Sequence, residues 1–408
     1  MAEVVDRFLK YVAVDTQSAE ISDTFPSTLK QHALARILAD DLREIGASDV
    51  RYDEQYCYVY AKIPATDGGA STKTIGFLAH MDTSPEVSDE NVRARIVAYE
   101  GGDIVLNEEG PIVMSVQDFP ELANYKGKSL IVTDGTTLLG ADDKAGVAEI
   151  MAMASYLLAH PEIKHGPIAI AFTPDEEVGG GVDHIDIAAF GADFAYTVDG
   201  GRIGELEYEC FNAAAATITI TGRSVHPGSA KGKMINAVRV AMELDSMIPE
   251  SERPETTAGY EGFFHVTHIE GETEEASISY IIRDHDRTKF EEKKARMESM
   301  VSAINDTYGA PIARLTMKDS YYNMREVIEQ GNEFLVDDAI EAMESLGIVP
   351  IVQPIRGGTD GSRLSYMGVP CPNLCTGGEN FHSRFEYACV ESMEKITELL
   401  VALATRRR

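Results

Sequence analysis

Apolar positions recur with helical period at the start of the chain, where Val4, Val5, Phe8, Leu9 and Val12 fall on one stripe. A second stripe of Leu29, Ala33, Leu34, Ile37, Leu38, Leu42 and Ile45 predicts a helix that opens near Ser27, a candidate N-cap, and stops at Gly46. Residues 50–63 and 74–79 read as strands, 145–159 as a helix, and 168–172 and 194–198 as strands again. Strands alternating with helices predict an α/β layer with a largely parallel sheet. In such sheets, sites form beyond the carboxyl ends of the strands.

The pattern changes near Glu209. Residues 214–221 read as a strand and 236–248 as a helix; 263–269 and 276–283 read as an antiparallel pair turning at Glu270-Gly271-Glu272-Thr273. A helix over 287–308 and a strand over 313–318 follow. Strand-helix-strand-strand-helix-strand predicts a small open-faced α+β sandwich. After Asn323 the alternation resumes, with a helix over 333–346, strands over 350–353 and 370–374, and a last helix from Phe385. The expected fold class is therefore α/β: a domain with a mixed, largely parallel sheet flanked by helices, built from residues 1–209 and 323–408. An α+β sandwich of residues 210–322 is inserted into it. The stretch from Ser84 to Thr137 is long for a connection and reads as an excursion near the mouth of a site.

Length and composition agree with a multidomain globular enzyme: 408 residues, 44% hydrophobic, 25% charged. The net charge of −31 argues against nucleic acid or an anionic membrane as partner, because phosphates would be repelled. Five cysteines form an odd, loosely spaced set, and Cys371 and Cys375 do not have the spacing of a redox or zinc-ribbon pair. Reduced, buried thiols in a cytosol are expected. The N-terminal residues lack the apolar core of a signal peptide, and no apolar run is long enough to span a bilayer.

Metal-ligand residue types sit mostly where strands end. His80 and Asp82 close Ile75-Gly76-Phe77-Leu78-Ala79-His80-Met81-Asp82, and Asp199 follows Phe194-Ala195-Tyr196-Thr197-Val198. Glu176 and Glu177 follow the strand ending at Phe172, Asp142 sits between Gly140 and Gly146 at a helix start, and His382 is flanked by Gly377-Gly378 and Asn380. Two imidazoles and several carboxylates meeting at one sheet edge would be costly to hold together without a cation. With two Zn²⁺ they would form a hydrolase site. A second His-x-Asp, His184-Ile185-Asp186, occupies a polar stretch and reads as ordinary surface. At a helix start, Asp143 is explained by the dipole alone. In the inserted block and beyond, His226, Arg283 and Arg356 are of types suited to substrate; an arginine fork matches a carboxylate.

Taken in order, Leu139-Gly140-Ala141-Asp142-Asp143-Lys144-Ala145-Gly146 and Thr173-Pro174-Asp175-Glu176-Glu177-Val178-Gly179 resemble the di-zinc metallopeptidase family. That family holds glutamate carboxypeptidase, aminoacylase and succinyl-diaminopimelate desuccinylase. The 84–137 excursion with Leu130-Ile131-Val132-Thr133-Asp134-Gly135, and Glu379-Asn380-Phe381-His382, resemble its tripeptide aminopeptidase branch. The resemblance covers nearly the whole chain.

The resemblance implies two co-catalytic Zn²⁺ per subunit, with Co²⁺ or Mn²⁺ as possible substitutes. Asp142 would bridge them, His80 and Asp199 completing one and Glu177 and His382 the other. Asp82 would orient His80, and Glu176 would be general base and then general acid. A cis peptide between Asp142 and Asp143 is implied too. The inserted block would be a lid and dimerisation domain, with His226 reaching the partner subunit's site to steady the oxyanion. The implied activity is release of the N-terminal residue from tripeptides by a cytoplasmic homodimer, with Arg283 and Arg356 as candidates for the C-terminal carboxylate of the substrate. A carboxypeptidase or N-acyl amino acid hydrolase would use the same ligands, and a non-catalytic peptide-binding protein would lack Glu176 or a ligand.

Overall fold

The structure is a computed structural model that describes residues 3–66 and 72–406. Residues 1–2, 67–71 and 407–408, which fall within the expected catalytic segments, lie outside the described residues. The chain divides into two compact units: Met1–Tyr208, Glu326–Gln353 and Thr359–Arg408 form the first, Glu209–Arg325 and Pro354–Gly358 the second.

The first unit is built on an eight-stranded mixed sheet. Its strands run Ser48–Tyr52, Val59–Ile63, Ile168–Thr173, Ile75–His80, Phe194–Gly200, Asn373–Cys375, Glu205–Glu207 and Ile351–Val352 across the sheet. The central four, from Ile168–Thr173 to Asn373–Cys375, are parallel. Ile168–Thr173 and Ile75–His80 are buried at every position, as parallel strands covered on both faces must be. Register pairs His80 with Thr173 and Leu78 with Thr197, so the carboxyl ends of three adjacent strands finish level with one another.

One face is covered by helices Glu3–Val12, Ala141–Ala159 and Val390–Ala404, whose Phe8, Val147, Ile150, Met151, Leu399 and Leu400 join Phe77, Ile170, Phe172, Tyr196 and Val198 in the main core. Each such side chain contributes about 1.5–3 kcal/mol on burial. Helix Ala141–Ala159 lies unusually close to the sheet, because a Cβ at Gly146 would stand 1.8 Å from the Val198 carbonyl oxygen.

Two local expectations are revised. The second helix runs Gln31–Glu44 rather than opening at Ser27, since the Ser27 amide and hydroxyl are both engaged by the Asp175 carboxylate. The last helix begins at Val390; Tyr387–Cys389 is a strand, because the chain there pairs with Lys128–Val132. The 84–137 excursion is folded. Its Arg95–Tyr99 and Lys128–Val132 join Tyr387–Cys389 and Gly378–Glu379 in a four-stranded sheet over a small core of Tyr99, Leu122, Tyr125, Leu130 and Tyr387.

The second unit is an α+β sandwich. Phe263–Gly271, Glu275–Asp284, Asn212–Thr221 and Ala313–Tyr321 form an antiparallel sheet in that order. Alternate residues of Glu275–Asp284 are buried, and they pack with helices Ala237–Ser246 and Arg287–Tyr308 through Ile278, Tyr280, Ile282, Leu244, Phe290, Met297 and Ile304. No helix among the described residues is long and apolar enough to cross a membrane.

Candidate di-metal active site

The level strand ends of the first unit bring His80 and Asp199 side by side, with His80 Nε2 3.3 Å from Asp199 Oδ1. The helix Ala141–Ala159 begins after Gly140, whose left-handed φ of 80° swings the chain over those strand ends, and the Asp142–Asp143 peptide is cis. Asp142 lands between the two imidazoles. Its Oδ1 is 2.8 Å from His80 Nε2 and its Oδ2 is 3.2 Å from His382 Nε2. His382 Nε2 is also 2.9 Å from Glu177 Oε2. Thus His80, Asp142, Glu177, Asp199 and His382 converge, from five segments distant in sequence.

The acidic pair is carried on an elbow. Asp175 adopts a left-handed φ of 53°, uncommon for a residue other than glycine, and its carboxylate accepts hydrogen bonds from Ser27 N, Ser27 Oγ and Gln31 Nε2. From the other side, the Asp82 carboxylate accepts the amides of Glu176 at 3.0 Å and Glu177 at 3.3 Å. Asp82 also fixes His80: ring Nδ1 lies 3.0 Å from the Asp82 carbonyl oxygen and 3.4 Å from its carboxylate. A proton held on Nδ1 leaves the Nε2 lone pair facing the other donors.

Electrostatically the cluster lacks positive charge. Burial first, and then the Asp199 carboxylate, push Glu176 well above the usual carboxylate range. Burial and the Asp142 charge raise Glu177 to about 8, and burial raises Asp199 to about 6. His382 is raised to about 11 by its hydrogen bonds to Asp142 and Glu177. Burial works against protonation of His80, but Asp199, Asp142 and Asp82 outweigh it and raise the ring well above its ordinary value. Protons here do what a cation would do.

The donors fit a pair of divalent metals. His80, Asp142 and Glu177 present ligand atoms within 4.8 Å of one another, and so do His80, Glu176 and Asp199. Glu177 Oε1 is buried without a hydrogen-bond partner, an arrangement that is costly unless a cation fills it. The set is imidazole and carboxylate, with no cysteine, which suits zinc, cobalt or manganese in an open catalytic site. His382 is the exposed member, its side chain 41% accessible.

Residues 208–309 match the family model described as the peptidase dimerisation domain. The chain is 54% identical over 405 residues to peptidase T of Alkaliphilus oremlandii (strain OhILAs), covering 99% of this chain and 98% of that protein. The chain belongs to the peptidase T family. It is accordingly a peptidase, a hydrolase of peptide bonds. Among solved structures, the aminopeptidase PepT from Bacillus cereus ATCC 10987 superposes with a TM-score of 0.76 at 24% identity, covering 99% of this chain and 97% of that one. A tripeptidase from Staphylococcus aureus subsp. aureus Mu50 gives 0.76 at 22% identity, again over 99% and 97%. At those identities the likeness concerns the fold.

Within this peptidase T family member, the remaining sequence candidates have distinct surroundings. Arg356 is held within its own unit: its guanidinium donates to Gly259 O, Glu261 O and Thr257 Oγ1 and lies over the rings of Phe211 and Phe263. Arg283 donates from Nη1 to the Arg356 carbonyl, while its Nε is buried without a partner. His226 is exposed at the head of a short 3₁₀ turn, where Nδ1 accepts the Gly228 amide, so its remaining ring proton is on Nε2. His184 stacks on Tyr56 and meets the edge of Phe25, and Asp186 caps the turn Ile187–Phe190 and pairs with Arg51. That second His-x-Asp is a packing element.

Sequence reasoning passed over two buried acids beside the site. Asp360 accepts the Thr173 hydroxyl at 2.7 Å, and burial raises it to about 7. Glu386 accepts the amides of Leu139, Gly140 and Asp142. A carboxylate at the head of a buried apolar strand was the available signal for Glu386; for Asp360 there was only its place in Gly357-Gly358-Thr359-Asp360-Gly361.

Proposed function

We propose that the protein is a cytoplasmic, homodimeric tripeptide aminopeptidase whose site holds two zinc ions. The observation that supports this reading most directly is the Asp142 carboxylate, with one oxygen toward each of two imidazoles. Asp142 would be shared by both cations, with His80 and Asp199 completing one shell and Glu177 and His382 the other. Bound there, the cations would supply Lewis acidity, polarising the scissile carbonyl and lowering the pKa of the attacking water to about 7.

The other steps belong to side chains of the protein. Glu176, with a ligand atom within 4.8 Å of those of His80 and Asp199, takes the proton of the attacking water on its carboxylate. The same carboxylate then delivers the proton to the leaving amine nitrogen. Asp82 acts through position, orienting His80 with its carbonyl and the Glu176-Glu177 elbow with its carboxylate. His226 of one protomer donates from Nε2 to the carbonyl oxygen as negative charge develops in its partner's site.

Of the two arginines, Arg283 is the better candidate for the C-terminal carboxylate of the peptide, since it retains a buried, unpartnered donor. Arg356 serves that role indirectly, by holding Arg283 through its carbonyl. Dimerisation through the second unit is supported by the match to a peptidase dimerisation domain over residues 208–309. A cytoplasmic setting is supported by Cys57, Cys371, Cys375 and Cys389, which are buried as free thiols. The relatives favour an aminopeptidase over the carboxypeptidase and N-acyl hydrolase readings.

The test is Glu176→Gln, with metal content measured alongside hydrolysis of a free tripeptide. Two cations retained with turnover reduced by about 10²–10⁴-fold supports the general-base role. Near-normal turnover would remove it.

A further inference from the structure

His382 and Glu386 lie on one short stretch of chain, and both act on Asp142. That stretch is bent by two left-handed residues that are not glycine, Asn380 at φ 59° and His382 at φ 57°. It is closed on itself by Ser383 Oγ donating to Asn380 O, by Phe385 N donating to Ser383 Oγ, and by Asn380 Nδ2 donating to Phe385 O. Beyond it, Tyr387–Cys389 is clamped into the small sheet against Lys128–Val132. From this braced loop the His382 ring reaches Asp142 Oδ2. The Glu386 carboxylate, 1% exposed, reaches the backbone behind Asp142: Oε2 accepts the amides of Leu139 and Gly140, each at 2.8 Å, and Oε1 accepts the Asp142 amide at 3.0 Å.

These amides belong to the turn that opens helix Ala141–Ala159, where the first N–H groups have no partner within the helix. A glutamine would not replace the glutamate. Its single carbonyl oxygen cannot serve both sides of the turn, and its amide group would point an N–H at an N–H.

We infer that Glu386 is a positioning residue for the metal site, locking the turn that carries the shared Asp142 carboxylate to the loop that carries His382. Removing the lock leaves each ligand on its own segment but frees the distance between them. The cation that depends on both is the one that suffers. This inference rests on the two-metal reading above.

The experiment titrates the metal-free full-length protein with Zn²⁺ against a chromophoric chelator, for wild type, Glu386→Gln and Glu386→Asp. Thermal unfolding of the same metal-free samples is followed in parallel. Wild type is expected to bind two equivalents. In Glu386→Gln, one equivalent is expected to weaken by about 10–100-fold, with the other nearly unchanged. Glu386→Asp, which keeps the charge but shortens the reach, is expected to fall between the two, and it carries the test if Glu386→Gln fails to fold. A lower unfolding temperature with both affinities as in wild type would make Glu386 merely structural and overturn the inference, leaving the two-metal reading intact. Wild type that fails to bind two equivalents would instead overturn that reading.

Discussion

Asp142 and His382 meet at 3.2 Å, Oδ2 to Nε2, although they come from segments of the first unit that lie on either side of the inserted one in the sequence. Since the other oxygen of the same carboxylate is 2.8 Å from His80 Nε2, a single side chain faces both imidazoles. Asp142→Ala is therefore expected to cost both cations, not one. Metal analysis after dialysis against a chelating buffer should show affinity reduced by more than about 100-fold for each equivalent. One cation held with wild-type affinity would mean that the carboxylate is not shared.

The charge balance sets a pH dependence with a definite sign. In the metal-free protein, hydrogen bonds to Asp142 and Glu177 raise His382 to about 11, above its ordinary value near 6.5. The stability that this contributes is complete below about pH 6.5 and is lost as the pH rises through about 11. Glu177, raised to about 8 by burial and by Asp142, loses its contribution in the same direction, between its ordinary value and about 8. The melting temperature of metal-free protein should fall from pH 7 to 9, and bound metal should flatten the profile. Loading at pH 7 should also release the protons held on His80, His382 and Glu177, read by calorimetry in buffers of different ionisation enthalpy. A metal-free profile that rises over this range would contradict the assignment.

Gly146 tests the packing that carries the Asp142 turn. A methyl group there would meet the Val198 carbonyl oxygen at 1.8 Å and Asp143 Oδ1 at 2.6 Å. Both neighbours are anchored, one in a central strand and the other beside the site. Gly146→Ala should cost about 3 kcal/mol in denaturant unfolding, the helix being pushed off the sheet. A loss within experimental error would mean that the helix can lift freely.

The two arginines should separate kinetically. Arg283→Ala is expected to raise KM for tripeptides by about 10–100-fold, the worth of a hydrogen bond to a charged group, with little effect on the corresponding C-terminal amides. Arg356→Lys loses the fork that holds Gly259, Glu261 and Thr257, and should destabilise the second unit by about 1–3 kcal/mol. Equal KM changes on acids and amides for Arg283→Ala would remove its carboxylate role.

The alternation of strands and helices was legible because apolar strands such as Ile168–Thr173 announce themselves over a few residues, and polar groups at their ends stand out. His80, Glu176, Glu177 and Asp199 were found in that way. What was not legible depends on partners far along the chain. Ser27 carries a good N-cap signal, but Asp175 takes its amide and hydroxyl, and the helix begins later. The helical pattern after Phe385 is interrupted because Tyr387–Cys389 pairs with a strand of the 84–137 excursion. Arg356 reads as a free fork until the carbonyls of residues 259 and 261 are seen to occupy it. Glu386 was missed for the same reason: its value lies in three amides about 245 positions earlier, which no local pattern reveals.

The most direct measurement is product identification after zinc loading, on a free tripeptide and on the same peptide with its amino group acetylated. The expected result is a free N-terminal amino acid and a dipeptide from the first, and no cleavage of the second. Hydrolysis of the acetylated peptide, or release of the C-terminal residue from either, would contradict an aminopeptidase built on these ligands.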